Sequence, residues 1–180
     1  MHRSLGQAKE LLQRAVNPAI RMGLEFYIAV HPGDRLPQRR LLDPVALPPA
    51  LLPHLFVIDV LAGGAGFRMR LMGTHQVGAY GRDFTGRRLV DTEIPGISRS
   101  ATYAMLAPVA RRGEPGYFRG PTAFRFQDDY ETHEQVLLPF AGEGTEVAMI
   151  CGVIHFEGHH EDYGPAAPRR SGSSAPDRGG

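Results

Sequence analysis

Between Val147 and Ile154 the chain reads Val-Ala-Met-Ile-Cys-Gly-Val-Ile, apolar at both alternating sets of positions. A run of this length reads as a strand, and a strand dry on both faces lies inside a sheet with a layer over each side. The chain must therefore supply two covers. Its N-terminus offers one. Ser4 and Gln7 have the spacing of a capping box, and Leu5, Ala8, Leu12 and Ala15 recur at helical intervals, predicting a helix over 5–16. Asn17-Pro18 pairs an N-cap residue with proline at the first helical position, predicting a second helix that runs to Val30 before His31-Pro32-Gly33. That helix is apolar on two sides: Ile20, Leu24, Tyr27 and Ile28 form one stripe, and Met22, Phe26 and Ala29 another. It needs two surfaces, its own sheet and a second subunit, so Ile20, Met22, Leu24, Phe26 and Tyr27 are candidate dimer-interface residues.

The rest of the chain alternates between strand and helix signals. Pro37, Pro44, Pro48, Pro49 and Pro53 exclude a long helix and predict extended chain with a short turn after Asp43. Leu55 to Val60 and Phe67 to Met72 form a hairpin across Gly63-Gly64-Ala65-Gly66, in which Phe67, Met69 and Leu71 alternate with Arg68 and Arg70. Thr74 caps a short helix to Tyr80, and a longer one runs from Ile97 to Arg112, with Pro108 inside and Gly113 as its stop. Strands over 117–126, 132–140 and 147–156 follow, with Phe118, Thr122, Phe124 and Phe126 on one face of the first. The prediction is an α+β fold: a five-stranded antiparallel sheet with helices inserted between strands 2 and 3, plus N-terminal helices. Residues 1–33 are expected to be a helical extension, 34–158 the domain, and 159–180 a disordered tail. From Gly164 onward that tail holds almost no apolar side chain larger than Ala.

Charge and cysteine content narrow the function classes. Twenty basic against 19 acidic residues give +1, too even for a polyanion-binding surface. Cys151 is the only cysteine, which excludes an internal disulfide or a thiolate metal cluster. Met1-His2-Arg3-Ser4 opens without the apolar run of a secretory signal, and no apolar run approaches the ~20 residues of a membrane span, so a cytoplasmic protein is expected. His159-His160-Glu161-Asp162 reads as a solvated terminus in preference to a metal site. Arg35, Arg39 and Arg40 read as a solvated basic loop.

Three blocks carry a resemblance: Leu51 to Val60, Phe67 to Thr74, and Gly81-Arg82-Asp83-Phe84-Thr85-Gly86. With Leu36 to Arg40, Asp43-Pro44 and Leu137-Leu138-Pro139-Phe140, they resemble a bacterial single-domain PAS family common in alphaproteobacteria, over about residues 20–157. The resemblance implies a sensory or interaction module that takes a small molecule or a partner protein between sheet and helices and dimerises through an N-terminal helix. It leaves the cofactor unknown. A flavin adduct requires a cysteine on the helical side, whereas Cys151 falls in the last strand. Haem requires an axial His there, and His75 in the first turn of its helix reads instead as a surface or capping residue.

Phe56, Ile58, Met69 and Leu71 are expected to line the concave face, with Tyr80, Phe84, Tyr103, Phe118 and Phe124 opposite and Thr74, His75 and Tyr103 as polar handles. The bland alternative is that these side chains simply fill the core. The Gly81 to Gly86 block lacks P-loop and dinucleotide spacing and reads as a structural turn, with Asp83 or Thr85 bonding nearby amides and Arg82 pairing with a carboxylate. No nucleophile elbow or His-Glu-x-x-His motif is present; Glu93, Glu131, His133 and Glu134 fall at strand ends or loops, and alternation turns Asp59 away from the concave face. The expected function is a non-catalytic sensor or adaptor that binds a small organic ligand or a partner protein. Since 180 residues leave no room for an output domain, its signal is expected to pass to a separate protein. The alternatives are an interaction module without a cavity, and a small cone-shaped enzyme with a carboxylate or His in its pocket.

Overall fold

The computed structural model describes residues 1–43, 45, 47–89, 99–122 and 130–158. Two helices come first, α1 (Arg3–Arg14) and α2 (Pro18–Val30). Strands β1 (Leu55–Leu61) and β2 (Gly66–Met72) follow, then α3 (Thr74–Tyr80) and α4 (Arg99–Arg112), then β3 (Gly116–Pro121), β4 (Tyr130–Ala141) and β5 (Val147–Gly158). The strands form one antiparallel sheet in the order β2-β1-β5-β4-β3. Phe124 and the rest of the strand expected beyond 122, the first residues of the helix expected from Ile97, Glu93, and the tail with His159-His160-Glu161-Asp162 lie outside the described residues. Among the described residues no helix is long and apolar enough to cross a membrane.

The two-sided apolar pattern of β5 has the expected outcome. Ile150, Ile154 and Phe156 face a front core shared with α3 and α4, whereas Met149, Cys151 and Val153 face a back core shared with α1 and α2. Each large side chain so enclosed contributes about 1.5–3 kcal/mol, which is why β5 takes the centre. Gly23 lets α2 settle onto the sheet, because a Cβ there would stand 2.6 Å from Val153 Cγ2.

Local details correct several expectations. The first helix begins before Ser4: His2 is its N-cap and accepts from the Ser4 amide. Ser4 is buried with its hydroxyl 2.8 Å from His31 Nε2, and Gln7 donates to Pro115 O, so no capping box forms. Gly73, not Thr74, occupies the cap position of α3. A Cβ at Gly73 would fall on the carbonyl oxygens of Pro53, Leu55 and Leu52, so only glycine permits this approach. Ile20, Leu24 and Tyr27 are wholly enclosed by the chain's own sheet and helices, which removes them from any dimer interface; Met22 and Phe26 stay partly accessible.

The junction of α1 and α2 is clasped to β4. The Glu134 carboxylate is fully buried and accepts from the amides of Val16 and Asn17 at 2.9 and 2.8 Å and from the Tyr117 hydroxyl at 2.9 Å. Burial, then that bond and the Glu134 charge, push the Tyr117 hydroxyl up to about 12. The outer edge of β2 is covered by the chain after the Gly81 to Gly86 turn, through Gly86 N to Met69 O, Met69 N to Arg87 O and Leu89 N to Phe67 O. Within that turn the Asp83 carboxylate accepts from the Thr85 amide at 2.8 Å, and Arg82 lies over the Phe84 ring where a carboxylate partner was expected.

Candidate functional site

A cavity of about 380 Å³ lies between the front of the sheet and α3 and α4. This falls within the range of small-molecule sites. β1 contributes Phe56 and Ile58, β2 Met69 and Met72, and β5 Ile154; Phe118, Gln135 and His133 come from β3 and β4. α3 supplies Gln76 and Tyr80, one turn apart on one face, and Ala101, Thr102, Ala104, Met105 and Leu106 come from α4. Phe84 and Leu89 close the end near the covered edge. Among the described residues the lining holds no Asp, Glu, Lys or Arg.

Of the residues expected to line this space, Phe56, Ile58, Met69, Tyr80, Phe84 and Phe118 do so. Leu71 does not. The register of β1 with β2 shifts between Val57 and Ile58, so that Val57 faces Leu71 while Ile58 faces Met69, leaving Arg70 as the extra residue of a bulge. Leu71 thereby turns to the back core and Met72 takes its place at the cavity. Tyr103 packs edge-on against Phe67 and donates to Ala65 O, away from the lining. Thr74 is exposed at the start of α3. His75 faces the edge of β5, where its Nε2 accepts from the Phe156 amide at 3.2 Å.

Alternation along β4 from its pairing with Phe118 would have found Gln135 and His133, and the i, i+4 relation to Tyr80 would have found Gln76. Gln76 is buried, and its Oε1 has no hydrogen-bond donor among the described residues. His133, 4% exposed, stacks on Phe118 with ring centroids 4.7 Å apart. Burial pushes its pKa down to about 4, so the imidazole is neutral at pH 7. Burial also raises the Tyr80 hydroxyl above its ordinary range, and that phenol is neutral too. Gln135 donates to the sulfur of Met105, tying β4 to α4. Among the described residues the wall is uncharged, with its polar groups on α3, α4 and β4.

Asp59 is turned from the cavity, as alternation requires, and is bound by Arg68 at 2.8 Å and Arg70 at 3.0 Å. Partial burial raises its pKa, but the hydrogen bonds and charges of the two arginines outweigh this and hold the carboxyl below its ordinary value. Cys151 lies in the back core, where burial pushes its thiol up to about 12. On the β1 side of β5, His54 and His155 accompany His75. Burial lowers all three imidazoles; for His75 the neighbouring rings of His54 and His155 add to it and bring the value to about 4.

An antiparallel sheet in this strand order, with helices crossing one face above a cavity whose described lining is uncharged, defines the class of small α+β domains built as a half-shell around a ligand-sized space. The family model described as a PAS domain matches residues 19–155, and the chain belongs to that family. Three solved structures are similar to it. The PAS domain of histidine kinase ThkA is 13% identical with a TM-score of 0.42, covering 56% of this chain and 95% of that one. The PAS domain of Bordetella pertussis BvgS is 17% identical with a TM-score of 0.46, covering 61% and 83%. A fungal LOV domain photoreceptor is 13% identical with a TM-score of 0.44, covering 76% and 90%. The comparison with curated proteins yields no match.

Proposed function

We propose that the chain is a sensory module that holds a neutral, mostly apolar organic molecule carrying a hydrogen-bond donor in the cavity under α3 and α4, and passes the resulting shift of those helices to a separate protein. The observation that carries this reading is Gln76 at the cavity wall, buried and with an oxygen that has no donor among the described residues. A buried acceptor without a partner costs about 1–3 kcal/mol, and a ligand hydroxyl or N–H recovers it. A lining without charge among the described residues disfavours carboxylates, phosphates and ammonium compounds, whose desolvation none of those residues would offset. A ligand that prefers one placement of α3 and α4 shifts the population toward it by its differential affinity.

The open volume favours this reading over an interaction module packed solid by its own side chains. The enzymatic reading has His133 at the wall, but an imidazole with a pKa near 4 is a weak base at pH 7, and no carboxylate stands beside it among the described lining residues. For self-association, Met22 and Phe26 on α2, with the exposed Val16 between α1 and α2, are the apolar groups we assign to a second copy. Native mass spectrometry of protein purified from its source tests both points. A co-purifying neutral small molecule, lost on Gln76→Leu while the fold is kept, is the expected result. Ligand-free wild-type protein, or a ligand retained unchanged by Gln76→Leu, would overturn the ligand reading; a monomer would overturn the dimer.

A further inference from the structure

β1 starts at Leu55, opposite Val153, while β5 runs on to Gly158. From Ile154 onward β5 therefore has no strand on its β1 side among the described residues. Two imidazoles stand where that strand would be. His54, ending the 3₁₀ turn Pro49–His54, has Nδ1 3.2 Å from the Ile154 carbonyl, and His75 Nε2 accepts from the Phe156 amide. The His155 ring stacks on His75, with centroids 5.2 Å apart and planes within 6°, and the His54 ring lies 4.4 Å from that of His75. One ring nitrogen from each of the three histidines lies within 4.8 Å of the others. His155 Nδ1 is buried with no hydrogen-bond partner among the described residues.

We propose that His54, His75 and His155 bind a divalent transition-metal ion of the zinc type through three imidazoles, with one position left open. The bond to Ile154 O makes His54 an Nδ1–H tautomer, which leaves its Nε2 lone pair for a metal. A ligating histidine that donates its other N–H to a backbone carbonyl is the usual outer-shell arrangement. His155 brings a buried nitrogen without a partner. His75 exchanges its long bond from Phe156 for the metal. Tetrahedral coordination at about 2.0–2.1 Å brings nitrogens to ~3.4 Å from one another, a contraction that ring rotations of half-buried side chains supply. An all-imidazole set suits Zn²⁺, Ni²⁺ or Cu²⁺ and not Mg²⁺ or Ca²⁺, which take oxygen.

His75 precedes Gln76 on α3, so a metal here ties the cavity wall to β5 and to the turn before β1. That effect on the cavity rests on the ligand reading above; the metal site does not. The test uses the full chain without an affinity tag, stripped with chelator and titrated with Zn²⁺ by calorimetry and thermal melting. The expected result is one equivalent bound at micromolar concentration or below and a raised melting temperature. His54→Gln or His155→Gln should weaken binding at least about tenfold, while the His159→Gln/His160→Gln double variant should leave it unchanged. Should a variant fail to fold, diethyl pyrocarbonate modification of the wild type read by mass spectrometry decides the point. Zn²⁺ should protect His54, His75 and His155 together. No heat and no melting shift, binding that survives His54→Gln, or protection confined to His159 and His160 would each overturn the proposal.

Discussion

Acidification from pH 7 to pH 5 is expected to weaken the fold through His133, and the size of the effect follows from its surroundings. The ring is buried beside Phe118 and Phe156 and has a folded pKa of about 4, below the 6.5 of an unperturbed imidazole. The unfolded chain therefore takes up a proton that the folded chain refuses. His133 contributes its full share of stability above pH 6.5; the share is lost as pH falls and is gone below about 4. At pH 5 the unfolded ring lies 1.5 units below its pKa and is nearly all protonated, whereas the folded ring is nearly all neutral. The difference is about 2 kcal/mol, or roughly 4–8 °C in melting temperature for a domain of this size. Denaturant melts of the wild type and His133→Gln at both pH values, with chelator present, isolate this share because the other histidines act equally in both proteins. The gap between the two proteins should change by about 2 kcal/mol in the variant's favour on going to pH 5. A gap that stays constant would refute the claim that burial holds this imidazole neutral.

Two further substitutions probe contacts that position the site. Gly73→Ala should cost about 3 kcal/mol or more in denaturant melts, because the added methyl meets three backbone carbonyls that cannot rotate aside. Loss below about 1 kcal/mol would mean that α3 does not start where it is placed here. Glu134→Ala strips the acceptor from two amides and the Tyr117 hydroxyl; a loss of about 3 kcal/mol and faster amide exchange at Val16 and Asn17 are expected. Unchanged exchange there would show that Glu134 does not clasp the helices.

The succession of helices and strands along the chain, the inner position of β5 and its two-layered cover were legible because they rest on period-two alternation and on proline and glycine punctuation, which local sequence carries; the lateral order of the other strands was not. The cavity was legible only in part. Phe56, Ile58 and Met69 follow from alternation, but the bulge at Arg70 leaves no mark in the residue pattern and exchanges Leu71 for Met72. Tyr103 was misplaced because its aromatic ring suits a core and a cavity equally well, and only the placement of α4 against the Gly66 turn decides between them. His54, His75 and His155 are far apart in the chain; the pairing of β1 with β5 brings His54 to His155, and the Gly73 amide bonded to Leu55 O sets α3 with His75 beside them. Glu134 looked like a polar residue near a strand end until α1 and α2 were seen to deliver bare amides to it.

The bulge in β2 has one more consequence. With Arg70 removed, Met69, Leu71 and Met72 would fall opposite Ile58, Val57 and Phe56 in unbroken alternation, each on the side it occupies now. A chain one codon shorter at that point would thus keep its interior intact and forfeit one guanidinium of the pair around Asp59. The same deletion in β5, where both sides are filled, would throw every following side chain to the wrong layer, so length variation is tolerable at this rim and not at the middle.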